Sequence, residues 1–177
     1  YDYRGTNAVS GMEVATYLNE DPNKVFKTLV TVAKSKINYV FVVPVNKELD
    51  LKKAAKSVGE KSVEMIKSKE LLPLTGYIHG GCSPIGMKKQ FKTVIDKSAT
   101  NFETFIFSGG KIGYQVEVTL DDLKKVIDYS LEDILKALQK LYIVTIPLLN
   151  TDDPQQIFES INSTGAPLTH ISMPMLR

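Results

Sequence analysis

Cys82 follows His79 by three residues in the stretch Gly76-Tyr77-Ile78-His79-Gly80-Gly81-Cys82-Ser83-Pro84-Ile85-Gly86, where a thiol, an imidazole and several glycines stand together. A thiol nucleophile with a histidine base needs both side chains to converge and surroundings that favour the thiolate. The spacing alone supplies neither, and a small buried side chain is the commoner state of a free cysteine. From Gly76 to Ser83 the glycines have the spacing of a phosphate-binding P-loop, but Cys82 stands where the lysine must be, and Pro84 opposes a helix starting there. Without that cation for the β- and γ-phosphates, nucleotide hydrolysis is not expected. What remains is a loop, residues 80–86, whose glycines admit close approach of main chain to a ligand and whose amides can hold an oxyanion. The bland alternative is a tight turn, and glycines alone do not choose between the two.

Lys27 opens an alternating segment rather than lying in a solvated run. A partly desolvated ammonium there can bind a carbonyl or phosphate oxygen as charge develops on it; a lysine guarding a strand edge against aggregation is the alternative. His79 and His170 are the only histidines and lie in different regions, and Cys82 is the only cysteine. No zinc site, no internal disulfide and no cofactor are implied, and a reducing compartment is the default.

These residues must be positioned by a chain of 177 residues, 43% hydrophobic and 24% charged, which is ordinary globular usage for about one domain. The longest apolar run, around Tyr39 to Val45, is far short of the ~20 residues that span a bilayer, and no secretory signal is visible after Tyr1. Net charge is only +2, yet all but one of the lysines lie before position 137. A solvated lysine-rich surface accounts for this, and so does a face that attracts a polyanion such as tRNA. Arg4 and Arg177 are the only arginines, which argues against bidentate base readout as the main device.

Ser10-Gly11-Met12-Glu13 fits a capping box ahead of a short helix, and Asp21-Pro22 reads as a cap and first helical position. Residues 27–32 alternate as a strand, residues 38–45 form a continuous apolar run expected to be buried on both faces, and the two can pair across residues 34–36. Leu51, Ala54, Ala55 and Val58 fall at helical spacing, with Gly59 placed to end the helix. Residues 69–74 read as another helix and 75–79 as a strand entering the glycine loop. Residues 104–107 and 114–118 flank Ser108-Gly109-Gly110-Lys111 as a hairpin, and Thr119 caps a helix over 120–128. Ser130 caps a further helix from Leu131. Strands and short helices mingle without regular βαβ alternation, so the expected class is α+β with a mixed, mostly antiparallel sheet.

The ordered set of residues 21–29 with Lys27-Thr28-Leu29, residues 49–56, residues 75–89 with Gly80-Gly81-Cys82-Ser83-Pro84, and Ser108-Gly109-Gly110-Lys111 resembles the YbaK/EbsC family of aminoacyl-tRNA deacylases, relatives of the prolyl-tRNA synthetase editing domain. The match covers about residues 1–133. It implies a curved, mostly antiparallel mixed sheet with flanking short helices. It also implies cytoplasmic editing of mischarged tRNA, typically removal of cysteine from tRNA(Pro), at the tRNA acceptor end and in association with prolyl-tRNA synthetase. The essential lysine matches Lys27. Substrate-binding positions match Tyr1, counted ungapped to Lys27, together with Thr28, Gly80, Gly81, Ser108 and Gln115. At the last of these many members carry an acidic residue. The family lets the substrate's own thiol attack the ester, which leaves Cys82 incidental. Family members have a helix and strand ahead of the equivalent of Tyr1, so the resemblance implies a sheet short of an edge strand. The alternative is a tRNA- or synthetase-binding module without catalysis.

After about Lys136 the composition changes: a strand is expected over 141–149 and a helix from Asp153-Pro154 to near Gly165. Residues 138–168 resemble part of the N-terminal domain of GmrSD-type restriction endonucleases, without the motif those need for nucleotide chemistry. The expected organisation is thus an editing-type domain over 1–135 and a fragment without independent function over 136–177.

Overall fold

The computed structural model describes residues 1–128. The helix expected from Leu131, the strand and helix expected beyond it, and the second resemblance all lie outside the described residues.

Helix α1 (Gly11–Tyr17) starts at the expected capping box: Ser10 Oγ accepts from Glu13 N, and the Glu13 carboxylate accepts from Ser10 N. The segment after it is a turn rather than a helix. Asp21 Oδ1 accepts from Asn23 N and Asp21 O from Lys24 N, and strand β1 (Phe26–Ala33) begins before a helical turn can propagate. Strand β2 (Asn38–Pro44) pairs antiparallel with β1 along its whole length, with Lys27 opposite Val43. Helix α2 (Leu51–Val58) is capped by Asp50, whose carboxylate accepts from Lys52 N and Lys53 N, and closed by Gly59 at φ +79°. Strand β3 (Val63–Met65) adds antiparallel to β1, but only at Thr31–Ala33.

Helix α3 (Ser68–Thr75) ends at Gly76, φ +86°. Residues 75–79 are therefore not the expected strand: Thr75 belongs to the last helical turn, with its hydroxyl on Leu71 O, and Gly76 turns the chain out into the loop. Strand β4 (Lys92–Ile95) lies parallel beside β2, giving the order β3-β1-β2-β4. After a short 3-10 turn (Lys97–Asn101), β5 (Phe105–Ser108) and β6 (Gln115–Val118) form the expected hairpin, and α4 (Leu120–Asp128) follows. Three antiparallel pairings and one parallel pairing make this a mixed, mostly antiparallel α+β fold.

The pleat sorts the core. Phe26, Val30, Val40 and Val42 face Leu71, Cys82, Phe105, Phe107 and Leu123, while Tyr39, Phe41 and Val43 face Ala54 and Ala55 of α2 on the other side. Strand β2 is thus buried on both faces, as its continuous apolar run requires. The hairpin attaches through a bridge between Val25 and Ile106, and residues 1–3 lie beside β6, with Tyr3 N on Gly113 O and Gln115 N on Tyr1 O.

A polar knot fixes this second junction. The Glu117 carboxylate accepts from Lys24 Nζ at 2.6 Å, from Tyr1 Oη at 2.6 Å and from the Thr104 hydroxyl. These donors hold the Glu117 carboxyl at about 2, well below its ordinary value. A depressed carboxylate adds stability that is complete above the ordinary glutamate range near 4.5 and is lost as pH falls from there towards 2. Glu117→Gln should remove that part of the acid sensitivity and cost about 1–2 kcal/mol at neutral pH, which urea titrations of both proteins at pH 7 and pH 3.5 measure.

Candidate functional site

The four-stranded sheet leaves one gap. β3 stops at the Thr31 pairing, so the N-terminal half of β1 has no strand beside it on that side. Six consecutive residues, Val25 to Val30, line a cleft of about 540 Å³ there. Successive side chains of a strand point to opposite faces, so an unbroken run of lining residues means the cleft follows the edge of the strand. The bonds of Val45 N to Val25 O and of Ala33 N to Ile37 O mark the odd positions of β1 as those that pair with β2. The even positions point the other way: Val30 O is taken by Ile66 N, and the N–H and C=O of Thr28 face the cleft.

Lys27 lines this cleft with a side chain 28% exposed, its Nζ 3.4 Å from Val45 O and 3.7 Å from a carboxylate oxygen of the exposed Glu48. The ammonium is half-withdrawn from water and tethered at the rim. Gly80 also lines the cleft, at φ +82°, the third residue of a turn closed by Gly81 N on Ile78 O. That conformation is open to glycine at little cost and strained for other residues. Ser108 and Gln115 stand directly opposite each other in the β5–β6 register, and both line the cleft. Ser108 Oγ accepts from Gly110 N, leaving its hydrogen free to donate. Phe26, Val30, Leu71 and Cys82, buried core residues, also border the cleft. Two buried side-chain polar atoms among the described residues have no hydrogen-bond partner, Thr28 Oγ1 and Gln115 Oε1, and both belong to residues lining this cleft.

The structure thus brings together Lys27, Thr28, Gly80, Ser108 and Gln115, and leaves two expected residues outside. Tyr1 is not in the lining, its phenol oxygen lying 2.7 Å from a Glu20 carboxylate oxygen and 2.6 Å from one of Glu117; Tyr3, two residues on, lines the cleft and receives Gln115 Nε2 at 3.4 Å. Gly81 is buried against the main chain of Lys111 and Ile112, its N–H is spent on Ile78 O, and it is not among the residues that line the cleft. What the sequence did not reveal is the wall made by α1 and the start of α3, with Ser10, Gly11, Met12, Ile66 and Ser68 in the lining. The tight fit of Gly11 on Val45, where a Cβ would come within 2.4 Å of a methyl, places α1 there.

The model of the aminoacyl-tRNA editing domain matches residues 6–126 of this sequence, more than half of the chain. The chain belongs to the aminoacyl-tRNA editing domain family. A relative from Enterococcus faecalis, EbsC, described as a proposed Cys-tRNA(Pro)/Cys-tRNA(Cys) deacylase, is 50% identical over 110 residues, which are 62% of this chain and 67% of that one. The proline–tRNA ligase of Thermosipho melanesiensis is 32% identical over 111 residues, 62% of this chain but 19% of the ligase. Among solved structures, a proposed trans-editing enzyme for prolyl-tRNA synthetase superposes with a TM-score of 0.65 at 22% identity, covering 73% of this chain and 81% of that one. A scaffold protein used for epitope grafting has the same fold, with a TM-score of 0.66 at 21% identity over 73% of this chain and 81% of the other.

In this editing domain His79 and Cys82 both border the cleft, but His79 is exposed and burial pushes the Cys82 thiol up to about 11. A thiol so far above neutrality stays protonated and is a poor nucleophile. Cys82→Ala should therefore change deacylation by less than about threefold and cost about 1 kcal/mol for the small cavity left in the core; activity and melting of the purified variant check both. Among the described residues no group of three or more histidine, cysteine or acidic side chains is placed to hold a metal ion, and no helix is long and apolar enough to cross a membrane.

Proposed function

We propose that this protein edits translation by cleaving the ester of mischarged aminoacyl-tRNA, with cysteinyl-tRNA(Pro) as its foremost substrate. We place that activity in residues 1–135 and in the cytoplasm, in association with prolyl-tRNA synthetase. The observation that carries the reading is the convergence of Lys27, Thr28, Gly80, Ser108 and Gln115, from four separate stretches of chain, on one cleft. The 50% identity to a named Cys-tRNA deacylase supports the choice of substrate.

An aminoacyl ester is already activated, so its cleavage needs a held carbonyl, donors for the developing oxyanion and an aligned nucleophile. In this reading the main chain of Thr28 pairs with the ribose or acyl group along the free strand edge. The Lys27 ammonium, the Ser108 hydroxyl and the Gly80 loop supply positive charge and donors around the acyl oxygens. With a cysteinyl substrate, the thiol sulfur forms the new bond to the acyl carbon, the carbon–oxygen ester bond breaks, and the thiol proton ends on the departing ribose oxygen. The cleft contributes by orienting the thiol over the carbonyl. Incubation with Cys-tRNA(Pro), Ala-tRNA(Pro) and Pro-tRNA(Pro) tests the proposal: cysteine should be released fastest and proline should be spared. No release above the uncatalysed rate, combined with salt-dependent tRNA binding, would leave a binding module instead.

A further inference from the structure

Gln115 is buried on β6, yet its Oε1 has no hydrogen-bond partner. Its Nε2 is turned to the hydroxyl of Tyr3, itself buried, so the amide is oriented with the carbonyl end unspent. An unsatisfied buried acceptor is costly, and one that faces a cleft is explained by a bound group that donates to it. Thr28 Oγ1, the other unpartnered buried side-chain oxygen among the described residues, borders the same cleft. No aspartate or glutamate lines it among the described residues.

The position of Gln115 says which part of a substrate it meets. Ser108 is its direct cross-strand partner, and such partners have Cβ atoms about 4.5–5.5 Å apart. A substrate whose acyl oxygen takes the Ser108 hydroxyl therefore brings the substituents of its α-carbon next to Gln115. The polar groups around the acyl oxygens, from Lys27 and Ser108, are donors, whereas Gln115 Oε1 is an acceptor and needs a group bearing hydrogens. We propose that Gln115, held by Tyr3, is the uncharged subsite for the substrate's α-amino group and makes the protein select esters that carry a free amine. This rests on the deacylase reading above.

The test compares cysteinyl-tRNA(Pro) with the same tRNA carrying 3-mercaptopropionate, which keeps the thiol and lacks the amine, each rate divided by its uncatalysed rate. The wild type should favour the amine-bearing ester about tenfold, the worth of one desolvated hydrogen bond. Gln115→Met, close in volume and without the acceptor, should lose about tenfold in kcat/KM on the cysteinyl ester and less than about twofold on the other. Gln115→Glu, which keeps an acceptor, should keep the preference. Equal losses on both esters would overturn the proposal and point to the ribose hydroxyl as the partner of Gln115. Binding of amide-linked analogues, 3′-cysteinylamino-adenosine and its des-amino counterpart, gives the same contrast without turnover. If neither ester is cleaved, the deacylase reading fails, while these two affinities still decide the amine subsite: a preference abolished in Gln115→Met supports it, and equal affinities overturn it.

Discussion

Lys27→Ala is expected to lower kcat/KM for Cys-tRNA(Pro) by about 10²–10³ while leaving the fold intact. The fold should tolerate the change because Lys27 is not in the core: its amine makes a long contact with Val45 O and faces the carboxylate of Glu48, which is almost fully exposed. Exposed pairs of that kind contribute about 0–1 kcal/mol. Activity should not tolerate it, because Lys27 is the single fixed side-chain cation among the described residues that line the cleft. A half-desolvated ammonium stabilises developing negative charge far better than one in water. Lys27→Arg keeps the charge but spreads it over a planar fork in place of a compact ammonium, so it should recover only part of the loss. Glu48→Gln separates rim from site: it removes the partner and should change the rate by less than about threefold. Single-turnover deacylation with melting curves for the three variants reads all of this, and a Lys27→Ala protein at full activity would remove the lysine from the mechanism.

The order of strands in sequence carried much of the fold, and particular residues show why. Helix α2 was readable because Leu51, Ala54, Ala55 and Val58 repeat at one period between a good cap, Asp50, and a good stop, Gly59. The β1–β2 pair and the β5–β6 hairpin were readable because local alternation and a turn specify them together. β3 and β4 were not: Val63-Glu64-Met65 is too short to show a period, and β4 gains its place from a parallel partner fifty residues back. Thr75 to Ile78 has strand composition, but Leu71 and Thr75 are buried in the last turn of α3 and Gly76 ends the helix there, so no strand forms. The site suffered in the same way. Lys27, Thr28, Gly80, Ser108 and Gln115 were nameable one by one, yet the cleft exists because β3 ends early and exposes one edge of β1, which no local pattern announces. Tyr1 was counted into the pocket by ungapped spacing, whereas residues 1–3 are placed by their pairing to β6, which brings Tyr3 to the cleft.

Removal of the Tyr77 ring should cost about 100-fold in activity with only a modest fall in stability, because this side chain sets the distance between the two loops of the site. Its hydroxyl donates to Ile85 O at 2.6 Å, and a Cβ at Gly86 would come within 3.0 Å of the same oxygen. Its ring edge would lie 3.0 Å from a Cβ at Gly110, in the turn that follows Ser108. Next to it, a Cβ at Gly81 would meet the backbone of Lys111 and Ile112 at 3.2–3.4 Å, a tight fit against main chain. The loop carrying Gly80 and the hairpin carrying Ser108 are thus pressed together through glycines, with the phenol ring as the spacer. Tyr77→Ala deletes the spacer and frees both loops, so Gly80 and Ser108 lose their mutual position and kcat falls while KM for tRNA changes little. Tyr77→Phe keeps the ring and loses only the bond to Ile85 O, which should cost about tenfold or less. Gly110→Ala tests the contact from the other side: it pushes on the ring and forces a residue other than glycine to φ +91°, so it should reproduce the kcat loss with Tyr77 still present. If Tyr77→Ala instead raised KM and left kcat unchanged, the ring would be contacting the tRNA rather than spacing the loops.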